Sequence, residues 1–146
     1  MNLLGDARFS FHSHGGFKKS SEAGTNYNCI AWAAGCDTTP WWPVPHGVAY
    51  WPPGVPRLEK LASFVAAFVS LGYAECESDS LEDGFEKVAI LELDGKPTHA
   101  ARQIVSGPDR GLWTSKLGKS IDISHSLKAV CGSLYGRVAV VLKRPA

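Results

Sequence analysis

The amino-acid sequence predicts a single α+β domain in which helices come first and an antiparallel sheet follows. Its length of 146 residues suits one domain, which buries about two-thirds of its unfolded surface. An apolar stripe of helical period follows Pro56, and short β-branched runs separated by turn signals fill the second half. This order of elements is typical of the α+β class. We expect one domain over residues 1–146, whose polar segment 1–24 forms a mobile or surface-lying arm.

Two helices are predicted in the first half of the chain. The first is short and begins near Cys29, because Asn26 or Asn28 can cap its start. The second opens at Pro56 and ends at Gly72, two residue types suited to a helix start and to the position after a helix end. Its apolar stripe comprises Leu58, Leu61, Phe64, Val65, Phe68, Val69 and Leu71.

Residues 35–56 are predicted to form a long loop rich in proline and tryptophan. Five prolines before Pro56 exclude a regular helix or a central strand. Trp41, Trp42 and Trp51 either pin this loop onto the domain or form the wall of a substrate groove. The sequence favours neither interpretation over the other.

The second half of the chain is predicted to form an antiparallel sheet. Asp94-Gly95 is a strong signal for a tight turn between two strands. A short helix is expected to start at Ser126. The predicted strands cover 87–93, 98–105, 111–115 and 137–142.

Composition and charge exclude several classes of protein. The apolar fraction of 45% and the charged fraction of 20% are typical of a soluble globular protein. A net charge of +1 without a basic stripe argues against a nucleic-acid partner. The longest apolar stretch, 64–71, is too short to span a membrane, and the first residues lack the apolar core of a signal peptide, so a cytoplasmic location is expected. The cysteines lack metal-ligand spacing, so we expect free thiols and no metal or cofactor.

Cys29 is the candidate nucleophile. A helix N-terminus beside an imidazole favours a thiolate, and the residues before Cys29 predict such an N-terminus. The amide of Asn26 or Asn28 can also help to bind a developing oxyanion. The competing interpretation is that Cys29 is a small buried apolar residue, as free cysteines often are.

His99 is the candidate general base, because it lies in a predicted strand that would hold its ring. Alternation places His99, Ala101 and Gln103 on one face of that strand. His125 is the alternative base. A histidine on a strand is also frequently a surface or core residue without a catalytic role.

The group that orients the base has several candidates. Asp122 lies between two isoleucines and is expected to face inward, although it can instead cap the turn into the following helix. Ser115, Thr114 and Gln103 are the alternatives. Lys116 is expected to point to solvent.

These residues resemble those of the papain-like cysteine hydrolases, which include papain-type peptidases, bacterial cell-wall amidases and endopeptidases, and transglutaminase-like enzymes. The segment 28–32, Asn-Cys-Ile-Ala-Trp, is similar to their catalytic helix start, and 98–103 with 111–118 is similar to their histidine hairpin. Ala23 stands where papain-type enzymes carry a glutamine. Over 25–145 the chain also resembles a small uncharacterised bacterial family. The resemblance implies N-terminal helices packed on a C-terminal antiparallel sheet.

The resemblance also implies a cysteine hydrolase that cleaves or deamidates an amide or isopeptide bond in a protein or peptide. Cys29 attacks, His99 moves the proton and Asp122 orients the imidazole. Cys29 is then expected to alkylate well below the ordinary thiol pKa of about 8.5. The alternative is a non-catalytic module that binds a protein or ligand through the loop 40–56. A toxin or effector that deamidates a protein by the same chemistry is a third candidate.

Overall fold

One seven-stranded antiparallel sheet organises the described part of the chain. The computed structural model describes residues 8–9, 16–21, 27–44, 49–117 and 122–146. The strands are β1 (Phe17–Ser21), β2 (Ala74–Cys76), β3 (Phe85–Leu93), β4 (Lys96–Gln103), β5 (Trp113–Lys116), β6 (Asp122–His125) and β7 (Arg137–Pro145). The helices are α1 (Cys29–Ala33), α2 (Leu61–Val69) and a 3₁₀ helix (Leu127–Val130). The strands lie in the order β1-β6-β5-β4-β3-β7-β2, and all neighbours are antiparallel.

The two faces of this sheet have different partners. Helices α1 and α2 pack on one face, named the helix face, where Cys29 and Ala100 belong to the same core cluster. Side chains alternate along a strand, so the cross-strand partners Leu91 and His99 point to the opposite face. There Leu91 packs against Ile123 of β6. Strand β4 therefore presents its neighbouring residues to two separate environments.

The predicted α+β class is confirmed, and the second half of the chain follows its prediction closely. Each predicted strand corresponds to an observed one, and the short helix after Ser126 is the 3₁₀ helix. Asp94 and Gly95 both have positive φ, of 53° and 80°, as the tight turn between β3 and β4 requires. Among the described residues, no helix is both long and apolar enough to cross a membrane.

The second helix is shorter than predicted at its start. It begins at Leu61 rather than Pro56, because Lys60 is still extended with φ −130° and ψ 148°. The preceding residues are held by the loop instead: the indole of Trp51 donates to the carbonyl oxygen of Pro56 at 3.0 Å. Leu58, the first position of the predicted stripe, is consequently 49% exposed.

Part of the predicted N-terminal arm is a strand. Residues Phe17–Ser21 form β1, which pairs with β6 at one edge of the sheet. Phe9 is buried and packs edge to face on Tyr135, with ring centroids 5.5 Å apart. Sequence reasoning missed β1 because an edge strand needs only one paired side, so its pattern is weakly specified. Residues 1–7, 10–15 and 22–24 of the segment 1–24 lie outside the described ranges.

Candidate active site

Cys29 is the first residue of α1, and Asn28 fixes this helix start. The side-chain oxygen of Asn28 accepts a hydrogen bond from the backbone N–H of Ala31 at 3.0 Å, as a helix cap does. The same amide also binds the backbone of Trp41, accepting at 3.1 Å and donating at 2.7 Å. The amide of Asn28 is thus occupied by structural contacts, which leaves the expected oxyanion role without support. Asn26, the other candidate, lies outside the described residues.

The sulfur of Cys29 lies at the edge of β4. Its thiol contacts the carbonyl oxygen of Thr98 at 4.0 Å. Burial raises the pKa of this thiol to about 11, although backbone N–H groups of Ala100, Ile30 and Cys29 itself favour the thiolate. Desolvation therefore outweighs the N–H groups and opposes the low thiol pKa that the helix start predicts.

The sulfur lies beyond the paired part of β4 and β5. The two strands pair only at Arg102 with Thr114 and at Gln103 with Trp113. Thr98 lies outside this pairing, and its carbonyl oxygen is contacted by the Cys29 sulfur. The structure thus brings the candidate nucleophile to the backbone beside His99.

The ring of His99 is held by a chain of hydrogen bonds on the opposite face. Its Nε2 lies 3.0 Å from Oγ of Ser115, and the same Oγ lies 2.7 Å from Nε2 of His125. The Nδ1 of His125 lies 2.6 Å from the carbonyl oxygen of Ser126. This chain crosses β4, β5 and β6 and ends on backbone.

The chain of hydrogen bonds assigns the proton positions. A carbonyl oxygen only accepts, so Nδ1 of His125 donates to Ser126 and its Nε2 accepts from the Ser115 hydroxyl. Oγ of Ser115 then accepts from Nε2 of His99. Burial, which lowers the pKa of His99 to about 3 and that of His125 to about 4, keeps both rings neutral. Nδ1 of His99 is therefore left with an unprotonated lone pair.

The thiol and the imidazole approach β4 from its two faces. The thiol of Cys29 is directed at the carbonyl oxygen of Thr98 rather than at the ring. Among the described residues, Nδ1 of His99 has no hydrogen-bond partner. Tyr135 covers the ring, with centroids 4.0 Å apart and planes 9° from parallel. Cys29 and His99 are thus neighbours along the backbone without a direct hydrogen bond between their side chains.

Asp122 does not contact the ring that it was expected to orient. The hydroxyl of Tyr27 donates to its Oδ2 at 2.6 Å on the helix face. Asp122 also lies opposite Lys116 in the β5–β6 register. Lys116, predicted to point to solvent, is fully buried. Ser115, an alternative from the sequence, takes the place on His99 that was expected for Asp122.

The family to which this sequence belongs is set by a match over most of its length. A family described as a domain of unknown function (DUF7689) matches residues 18–143. The chain belongs to the DUF7689 family. No curated protein and no solved structure matches it. The matched range of DUF7689 includes every candidate residue from Cys29 to His125.

Tyr135 is the residue of the DUF7689 site that sequence reasoning missed. It lies in a tight turn closed by hydrogen bonds between Gly132 and Gly136 at 3.0 and 2.8 Å. A Cβ on Gly136 would lie 1.8 Å from the carbonyl oxygen of Glu92, so only glycine lets the turn lie this close to β3. The tyrosine between two closely spaced glycines is the signal that could have indicated a fixed aromatic residue.

The three tryptophans of the loop 35–56 pack against the core of this DUF7689 chain. Trp41 and Trp51 are 8% and 2% exposed, and both belong to the same core cluster as Phe64 of α2. Trp42 and Trp51 pack edge to face on Phe64, with centroids 5.2 and 5.1 Å apart. This packing supports a loop pinned by aromatic residues, and the groove wall stays a prediction.

Gln103 lies away from the ring of His99. Its Nε2 donates to the carbonyl oxygen of Asp79 at 2.9 Å, which ties β4 to the loop before β3. In the described part of the DUF7689 chain, no three His, Cys, Asp or Glu side chains converge as metal ligands would. All four cysteines are free.

Proposed function

We propose that this DUF7689 chain is a papain-like cysteine hydrolase that cleaves or deamidates an amide or isopeptide bond. The observation that carries the proposal is the hydrogen-bond chain through Ser115 and His125, because it leaves His99 with a lone pair at Nδ1. A general base must be held in one tautomer with its accepting nitrogen free. The sulfur of Cys29 meets the backbone one residue before this base.

In the proposed reaction, Nδ1 of His99 takes the thiol proton while the Cys29 sulfur attacks the substrate carbonyl carbon. The tetrahedral intermediate collapses when His99 returns the proton to the leaving nitrogen, which departs as an amine or as ammonia. Water then attacks the thioester, His99 accepts and returns its proton, and the product acid leaves with the thiol restored. Nε2 of His99 keeps its proton throughout, because Ser115 accepts it.

The resting site accounts for an inactive thiol until a substrate binds. Burial keeps the thiol protonated, with a pKa of about 11, and keeps His99 neutral. The proposal requires the Cys29 side chain to turn from Thr98 towards Nδ1 of His99 when substrate binds beside the unpaired part of β4. The facing ring of Tyr135 stabilises the imidazolium that then forms, as an aromatic face stabilises a cation.

The experiment compares Cys29→Ala with Cys131→Ala on a panel of peptides that carry backbone, side-chain amide and isopeptide bonds. Mass spectrometry detects both cleavage and the mass change of deamidation. We expect Cys29→Ala to abolish turnover and to leave the thermal midpoint within a few degrees of wild type. Cys131 is partly buried and its thiol donates to the carbonyl oxygen of Leu127 in the 3₁₀ helix, so its variant should retain turnover.

Two outcomes would contradict the hydrolase. One is full turnover by Cys29→Ala. The other is a large loss of stability in that variant while wild type modifies no peptide, which would make Cys29 a core residue. The non-catalytic alternative predicts that second outcome. The burial of Trp41 and Trp51 reduces the aromatic surface that the loop 40–56 could offer to a partner, which weakens this alternative.

A further inference from the structure

A fully buried lysine lies on β5 beside the candidate nucleophile. Lys116 has no exposed surface. Burying an ammonium group away from water is costly unless an anion and hydrogen-bond acceptors surround it. A buried lysine therefore requires a reason beyond its place in a strand.

The surroundings of Lys116 link it to the start of α1. Asp122 is its cross-strand partner on β6, and the hydroxyl of Tyr27 donates to Oδ2 of that carboxylate at 2.6 Å. The ammonium nitrogen of Lys116 lies 5.2 Å from the ring centre of Tyr27. Tyr27 precedes Cys29 by two residues. One cation, one carboxylate and one phenol thus share the helix face at the level of the nucleophile.

The strand register brings the ammonium group towards the sulfur. Continuing the pairing of Arg102 with Thr114 places Lys116 opposite Ala100. The hydroxyl of Thr114 accepts from the Trp32 indole of α1 at 3.0 Å, so Lys116, two residues further on, also faces the helices. The sulfur of Cys29 contacts the carbonyl oxygen of Thr98, two residues before Ala100 on the same strand.

We propose that Lys116 is a positioning residue whose buried positive charge makes the anionic form of Cys29 accessible. This inference rests on the proposed function only in taking Cys29 as the nucleophile. The Asp122 carboxylate on β6 and the Tyr27 phenol lie beside Lys116, and the Cys29 thiol contacts the carbonyl oxygen of Thr98, two residues before Ala100. In the resting site the negative charge of Asp122 opposes the positive charge of Lys116. A thiolate at Cys29 would add a second negative charge near Lys116, so the lysine charge lowers the proton affinity of the thiol and the aspartate charge raises it.

The electrostatics of the site agree with this arrangement. Desolvation lowers the pKa of Lys116, whereas the charges of Asp122 and Cys29 raise it. The charge of Lys116 in turn favours the Cys29 thiolate against the effect of burial. The cation and the thiol are therefore coupled in both directions.

The test is the pH dependence of Cys29 alkylation by iodoacetamide, resolved for each cysteine by peptide mass spectrometry. Lys116→Met should raise the apparent pKa of Cys29 by one unit or more, which slows its alkylation at least tenfold at pH 8. Lys116→Arg should retain the wild-type profile. Asp122→Asn should shift the profile the other way, because the lysine charge is then no longer neutralised. Cys36, half-buried beyond the end of α1, serves as the internal control and should not change.

Opposite shifts in the lysine and aspartate variants are what distinguish charge from structure. If Lys116→Met fails to fold, Asp122→Asn and Lys116→Arg still decide the question. An unchanged Cys29 profile in Asp122→Asn, or in a folded Lys116→Met, overturns the inference. The hydrolase proposal fails on a different measurement. Its test is peptide turnover in wild type and in Cys29→Ala, which does not depend on these alkylation profiles.

Discussion

The two faces of β4 carry different kinds of buried polar groups. On the helix face, the polar groups near Cys29 are charged: Lys116 and Asp122 are both buried there. On the opposite face, the groups around His99 form a neutral chain through Ser115. A neutral chain determines which nitrogen can take a proton, whereas buried charges determine how costly it is to release one. Under the two proposals, the direction of proton transfer at His99 and the proton affinity of Cys29 are controlled from separate sides of one strand.

The largest expected effect is a loss of folding stability caused by a substitution on the opposite face. Gly136→Ala places a Cβ against the carbonyl oxygen of Glu92 and keeps a φ of +83°, so the turn that carries Tyr135 must shift. We expect a loss of at least about 4 kcal/mol in the free energy of unfolding, measured with urea. Gly95→Ala is the matched control: its φ is +80° with open space around it. That variant should lose only about 1–2 kcal/mol. Equal losses would show that Tyr135 is not closely held.

The second effect compares the two faces by removing one hydroxyl group from each. Ser115→Ala leaves the ring nitrogens of His99 and His125 without their shared partner. Each of the two unsatisfied buried groups costs about 1–3 kcal/mol, so about 2–6 kcal/mol of stability should be lost. Thr114→Val deprives only the Trp32 indole of a partner and should lose about half as much. If turnover is detected, Ser115→Ala should also lower it about 100-fold or more, because the His99 tautomer is released. A larger loss in Thr114→Val would contradict the chain.

The smallest effect, counted for each histidine and each pH unit, is a pH dependence that belongs to the opposite face. The folded-state pKa values of His99 and His125, about 3 and about 4, lie below the ordinary 6.5. The unfolded chain therefore binds more protons below pH 6.5, and stability is lost as pH falls towards 4. Each neutral histidine should contribute about 1.4 kcal/mol per pH unit between pH 6 and 5. Unfolding of the double variant His99→Gln/His125→Gln should show the shallower slope, and an identical slope would contradict a buried neutral pair.

The local parts of the site could be predicted from the sequence. Asn28 carries a capping side chain, and the turn at Asp94-Gly95 demands positive φ, so the start of α1 and the β3–β4 hairpin follow from residue type. The proximity of Cys29 to the strand of His99 was inferred from a resemblance, and the contact with Thr98 agrees with it.

The long-range parts could not be predicted, because they depend on register between strands. Nothing local distinguishes Asp122 from Ser115 as the partner of His99. The pairing of Ser115 with Ile123 places the serine on the opposite face, and the pairing of Lys116 with Asp122 places that carboxylate on the helix face. A one-residue change in register would exchange these roles. The burial of Lys116 was missed for the same reason.

Asn28 has a consequence for how such a site can open. One planar amide holds both the first turn of α1 and the backbone of Trp41. The first turn of α1, which carries Cys29, is therefore linked to the loop at Trp41, so a displacement of one affects the position of the other. An aspartate at this position would keep the acceptor but lose the donor to the Trp41 carbonyl, which would uncouple the two. A displacement of the loop that exposed the sulfur would thus also disturb the helix turn that carries it.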